Sequence, residues 1–235
     1  MPIGEGRKAL TKKLPVIYII DISGSMSGSR IAAVNEAMDK VVPALKEFAA
    51  NEPSIEFSAR VITYGDGRAD WRVGDRNNGV LMADFDWLPI SESEVDGGTP
   101  ADMAIELLTT LSGEDYKEYL GGYLGTPMVI LISDGEANNQ QAFMRAVDNF
   151  RASRVGNKFV QVAIGIATEN NIKATDELKY FGQNGFRHAT DNPNKIVDLI
   201  VTATMKSVKT ATEKSIKTKR DDQKATEDIF EDDIF

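Results

Sequence analysis

The sequence predicts an α/β fold: a doubly wound, mostly parallel central sheet with helices on both faces and one short antiparallel edge strand. Three observations lead there. Unbroken apolar runs such as VIYII at 16–20 and MVILI at 128–132 suit strands covered on both faces. Stretches with apolar residues every three or four positions lie between those runs, as amphipathic helices require. Both runs also end abruptly at a carboxylate, Asp21 in IIDISGS and Asp134 in LISDGE. In open α/β sheets, ligand crevices form beyond the carboxyl ends of strands.

The elements follow in chain order. VIYII is the first strand. Ile31, Val34, Met38, Val41, Leu45 and Phe48 then mark one helical face, with Pro43 inside it expected to kink or divide the helix. IEFSARVITYG reads as a long strand. ADWRVGDRNNGVLMADF carries turn signals at Gly74 and Asn78-Gly79 and reads as an edge strand plus loop. ADMAIELLTTL is the second helix, PMVILISDG a strand, NNQQAFMRAVDNFRAS the third helix and KFVQVAIGI a third buried strand. NIKATDELKYFG is a short helix, FRHAT a short strand and NPNKIVDLIVTATMKSV the last helix. Three segments result: a basic N-terminal extension at 1–13, one domain at 14–208, and a flexible acidic tail at 209–235, where apolar residues thin out.

Composition narrows the function classes. The 235 residues, 42% of them hydrophobic, suffice for one sizeable core. No apolar span approaches the roughly 18 residues that suggest a membrane helix, and VIYII is too short for a secretion signal. The absence of cysteine excludes disulfides, zinc–thiolate sites and thiol nucleophiles. It also fits a cytoplasmic location, which is the expectation here. A net charge of -9 argues against nucleic acid and against anionic membranes as partners.

Asp21, Ser23 and Ser25 offer oxygen atoms from alternate positions of one short turn, and such hard donors suit Mg²⁺ or Mn²⁺. Thr99 in DGGTPADM precedes the second helix, with Gly97 and Gly98 allowing a close approach. Asp134 follows the second apolar strand. Singly, each hydroxyl reads as a helix cap or turn residue and Asp134-Gly135 as a turn dipeptide. Jointly they reach one crevice if the two Asp-terminated strands are neighbours.

The DISGS run, the GGTP threonine and the SDG aspartate resemble the metal-ion-dependent adhesion site of von Willebrand factor A domains. The resemblance spans about Leu14 to Val208, and none of the five positions departs from the pattern. More narrowly, LPVIYIIDISGSMSGSRIAAVNEAM, GGTPADMAIELL and PMVILISDGEANN resemble the TerY-like intracellular bacterial branch, associated with tellurite resistance and stress-response operons. The resemblance implies that Ser23 and Ser25 ligate the cation directly and Thr99 directly or through water. Asp21 and Asp134 would act mostly through bound waters. It implies Mg²⁺ or Mn²⁺ as the ion, with Ca²⁺ able to replace it in a crystal. The implied partner is a protein with an exposed Asp or Glu, with a Ser/Thr kinase or phosphatase encoded nearby as a candidate.

Catalysis is disfavoured. Ser23 stands where a phosphatase of the haloacid-dehalogenase type needs its second Asp. The single histidine, His188, lies in FRHAT with no serine-hydrolase elbow in the chain. A metal-dependent phosphoryl-transfer enzyme is the minor alternative. Asp66, Asp70 and Asp75 resemble a broken calcium loop and read as a solvated loop. Trp71 and Trp87 read as packing under loops. The tail holds EDIF and then EDDIF, so Ile229, Phe230, Ile234 and Phe235 form a candidate partner-docking motif. A scaffold that recruits through this tail without metal is the other alternative, and self-association of the acidic tail with the metal site is a third use. The hydroxyls Thr202, Thr204, Ser207, Thr210, Thr212, Ser215 and Thr218 read as a polar helix face, or as phosphoacceptors if a kinase accompanies the protein.

Overall fold

The computed structural model describes residues 12–53, 55–112, 127–166, 171–182, 186–187 and 192–217. Its strands are β1 (Lys12–Asp21), β2 (Ile55–Gly65), β3 (Arg68–Val73), β4 (Val80–Leu81), β5 (Met128–Ser133), β6 (Val160–Gly165) and β7 (Phe186–Arg187). The helices are α1 (Ser29–Ala50), α2 (Ala101–Thr109), α3 (Gln140–Ala152), α4 (Ile172–Gly182) and α5 (Pro193–Lys217).

The strands form one sheet in the order β3-β2-β1-β5-β6-β7, with β4 also paired to β2. β1 pairs in parallel with β2 on one side and with β5 on the other. β5–β6 and β6–β7 are parallel, and β3 is the expected antiparallel edge strand. The two-residue β4 adds a second antiparallel pairing near the start of β2. Strand order therefore reverses between β1 and β5, and the two Asp-terminated strands are neighbours.

Alternation along β1 divides the core between the two sheet faces, because successive side chains of a strand point to opposite sides. Val16, Tyr18 and Ile20 pack with Val34, Met38 and Val41 of α1 and with Ile196 and Ile200 of α5. Ile17 and Ile19 pack with Ile105 of α2, Phe143 and Val147 of α3, and Phe181 of α4. Each fully buried aliphatic side chain contributes about 1.5–3 kcal/mol by leaving water.

Several details differ from the sequence expectation. Pro43 does not divide α1, which runs unbroken from Ser29 to Ala50. Pro43 is exposed, so the missing N–H faces water while Val41 and Leu45 keep the apolar stripe in the core. β1 starts at Lys12, where pairing with Ile55 extends the strand past its apolar run. α5 continues to Lys217, past 208. Thr204, Ser207 and Thr212 are buried on it, so they do not form a solvated polar face.

The remaining motifs also find their places. Arg60 is fully buried and donates to the carbonyls of Asp75 (2.9 Å) and Asn77 (3.1 Å). Asp75 Oδ1 accepts the N–H groups of Asn77 and Asn78, which holds its carboxyl below the usual range. That segment is therefore a capped turn. Trp87 is buried beneath the Arg72 guanidinium, 5.9 Å from the ring centre, whereas Trp71 is only half-buried. No described helix is long and apolar enough to cross a membrane. His188, the tail residues Ile229, Phe230, Ile234 and Phe235, and Thr218 lie outside the described residues.

Candidate metal centre

The site forms where β1 and β5 end. Backbone hydrogen bonds stitch three loops around it. Ile22 N–H continues the sheet by donating to Tyr64 O (2.8 Å), and Ile22 O accepts from Asp96 N–H (3.0 Å). Asp66 N–H donates to Asp96 O (3.1 Å), and Gly24 N–H to Gly97 O (3.0 Å). Gly97 has φ +69°, and a Cβ there would lie 2.5 Å from Asp66 Cα, so the loops meet only because this residue has no side chain. Asn138 clamps Thr99 at two points. Its Oδ1 accepts Thr99 N–H, and its own N–H donates to Thr99 O, both at 2.9 Å.

The hydroxyls are not spent on local capping. Ser23 precedes a short 3₁₀ turn (Gly24–Met26) without capping it through its side chain. The N-cap of α2 is Pro100, so Thr99 does not fill that role. Ser23 Oγ instead lies 3.1 Å from Ser25 Oγ, and Ser25 Oγ donates to Asp134 Oδ1 at 2.8 Å. A Cβ built on Gly135 would sit 3.8 Å from both Ser25 Oγ and Thr99 Oγ1. The two loops therefore present their hydroxyls to one small space beside Gly135.

Asp21 is fully buried below this layer. Its Oδ1 accepts Ser23 N–H (2.8 Å) and its Oδ2 accepts the Ser133 hydroxyl (2.6 Å). Burial pushes its carboxyl up to about 6, and the negative charge of Asp134 adds to the rise. The hydrogen bonds from Ser133 and Ser23 oppose the rise without cancelling it. Burial and the neighbouring Asp21 push the Tyr64 phenol upward as well.

The donor set fits a hard divalent cation. Asp21, Ser23, Ser25, Thr99 and Asp134 supply only oxygen, and just two of the five are anionic. Among the described residues no group of three or more His, Cys, Asp or Glu forms a carboxylate-rich or nitrogen–sulfur alternative. Three residues of the site escaped the sequence reading. Ser133 holds Asp21, Asn138 holds Thr99, and Arg30 donates through Nη1 to Ser25 O (2.7 Å) and to Asp134 Oδ2. Ser133 ends an apolar strand and Asn138 sits in a turn-rich run, so both look ordinary in sequence. Arg30 left a signal: a cation in the first turn of a helix opposes the helix dipole.

Comparison with solved structures places this architecture. The von Willebrand factor domain of the type V pilus tip protein Mfa5 from Porphyromonas gingivalis matches with a TM-score of 0.58 at 12% identity, over 92% of this chain and 99% of that one. Proximal thread matrix protein 1 from the mussel byssus matches with a TM-score of 0.53 at 18% identity, over 83% of this chain. The chain spans only 46% of that mussel protein's length. A form of the mussel protein with a zinc-occupied adhesion-site motif matches with a TM-score of 0.52 at 17% identity, over 83% of this chain and 46% of that one. No protein-family model and no curated protein matches. At these identities the likeness is one of fold, and the chain has the von Willebrand factor A fold.

Proposed function

We propose that this chain is a divalent-cation-dependent protein-binding domain that captures an acidic residue of its partner. The observation that carries the reading is the convergence of the Ser23, Ser25 and Thr99 hydroxyls with two aspartates at the point where strand order reverses. Neutral hydroxyls leave a bound cation under-neutralised, so a partner's Asp or Glu gains strongly by completing its coordination. Three direct carboxylates would blunt that gain. The ion we assign is Mg²⁺, with Mn²⁺ as a substitute. The zinc-occupied motif of the mussel protein supports a divalent site of this kind.

The setting we infer is a bacterial cytoplasm, in a stress-response or kinase/phosphatase signalling complex, which rests on the TerY-like resemblance of the motif-bearing segments. The reading also makes the chain an adaptor and not an enzyme. The immobilised full chain should retain its partner in Mg²⁺, release it in EDTA, and retain none as the Ser23→Ala/Ser25→Ala double variant. Retention that survives EDTA but not removal of residues 218–235 would transfer the binding to the tail.

A further inference from the structure

Arg30 stands at the second residue of α1, where the exposed N–H groups and the helix dipole disfavour a positive charge. No acidic residue of that first turn offsets it, and the N-cap, Gly28, brings no side chain. The guanidinium instead reaches the crevice, with Nη1 donating to Ser25 O and to Asp134 Oδ2. The Asp134 side chain is 1% exposed while that of Arg30 is 36% exposed. Ser25 Oγ holds the other carboxylate oxygen at 2.8 Å. The aspartate that accepts the Ser25 hydroxyl therefore already carries an internal counter-cation.

We propose that Arg30 competes with the divalent cation for Asp134 and so sets the ion concentration at which the site fills. This rests on the metal-site reading above and adds to it a residue outside the hydroxyl and carboxylate set. Two cations that share one carboxylate, Arg30 directly and the ion through a bound water, repel each other. The ion is compact and doubly charged, whereas the guanidinium sits on a long, partly exposed stem with a route to water. Arg30 is therefore the one that leaves. The ion then binds only the fraction of molecules in which Asp134 is free, which weakens its apparent affinity by that fraction. While the pair is closed, Arg30 also offsets the repulsion between Asp134 and the buried Asp21.

Titration calorimetry with Mg²⁺ on the full chain tests this. Arg30→Ala should bind roughly five- to tenfold more tightly than the wild type, the scale of one half-exposed ion pair. In EDTA its melting temperature should fall, and Mg²⁺ should raise it by more than in the wild type. Arg30→Gln keeps the length of the stem without the charge and should reproduce the tighter binding, while Arg30→Lys should fall between. Lys40→Ala removes a charge from an exposed pair with Glu36 further along α1 and should match the wild type. Equal or weaker Mg²⁺ affinity in folded Arg30→Ala and Arg30→Gln overturns the proposal. If Asp134→Asn still abolishes binding in that case, the metal-site reading stands and only the competition fails. If the wild type and Asp134→Asn both bind no Mg²⁺, the metal-site reading fails and takes the competition with it.

Discussion

Asp21→Asn should abolish Mg²⁺ binding and at the same time make the protein more stable at pH 7.5 in EDTA. The two effects share one cause. Asp21 is fully buried, and the cost of desolvating its charge pushes its carboxyl up to about 6. The asparagine amide keeps an oxygen for Ser23 N–H, which donates to Oδ1 at 2.8 Å. Its NH₂ faces the Ser133 hydroxyl, which can rotate from Asp21 Oδ2 toward Gly135 O at 3.4 Å. No buried donor loses its partner, and the unfavourable charge is gone. Removing about 2 kcal/mol of that burden would raise the melting temperature by roughly 4–8 °C for a domain of this size. The loss of the charge should weaken Mg²⁺ binding at least about 100-fold, read by calorimetry. A variant that is less stable in EDTA, or that still binds Mg²⁺ like the wild type, contradicts this account of Asp21. Stability gained at the expense of function is the usual signature of a site held in a costly state.

The second large effect is a pH dependence that the ion should reverse. The carboxyl of Asp21 rises from 3.8 to about 6 on folding. Between those values the folded chain holds a proton that the unfolded chain has released. The contribution of this group to stability is therefore full below about pH 4, falls as pH rises, and is lost by about pH 6 and above. The total is on the order of 3 kcal/mol. A divalent ion at the site favours the ionised carboxylate, so it should restore stability above pH 6 and do little near pH 4.5. Thermal melts with Mg²⁺ and with EDTA at pH 4.5 and 7.5 measure this directly. The Mg²⁺-induced rise in melting temperature should be large at pH 7.5 and close to zero at pH 4.5. Equal rises at both pH values would mean that Asp21 does not couple to the ion.

The fold was legible because the strongest sequence signals coincide with the deepest structural constraints. An unbroken run such as VIYII suits a strand buried on both faces, as in a parallel, helix-covered sheet, and β1 lies inside one. The convergence of the five candidate residues was legible because their joint pattern after two neighbouring apolar strands is far more specific than any one of them, each of which singly reads as a cap or turn residue. What could not be read was the support around them. Ser133 and Asn138 act through hydrogen bonds to Asp21 and Thr99 that exist only after β1 and β5 pair and the loops close. The end of α5 is not legible because Ser and Thr dilute the apolar signal there. Thr204, Ser207 and Thr212 are nonetheless buried, and the helix keeps its register to Lys217. Pro43 misled in the opposite direction, since a proline on the solvent face of a long amphipathic helix leaves its packed face intact.

The most direct test of the central claim is an anomalous difference map from crystals of the full chain grown with Mn²⁺. The account expects one strong peak beside Gly135, with the Ser23 and Ser25 hydroxyls at about 2.1–2.2 Å from it. Thr99 should lie in contact or one water away, and Arg30 should have withdrawn from Asp134. A Mn²⁺ peak on other carboxylates, with none between these hydroxyls, would contradict it.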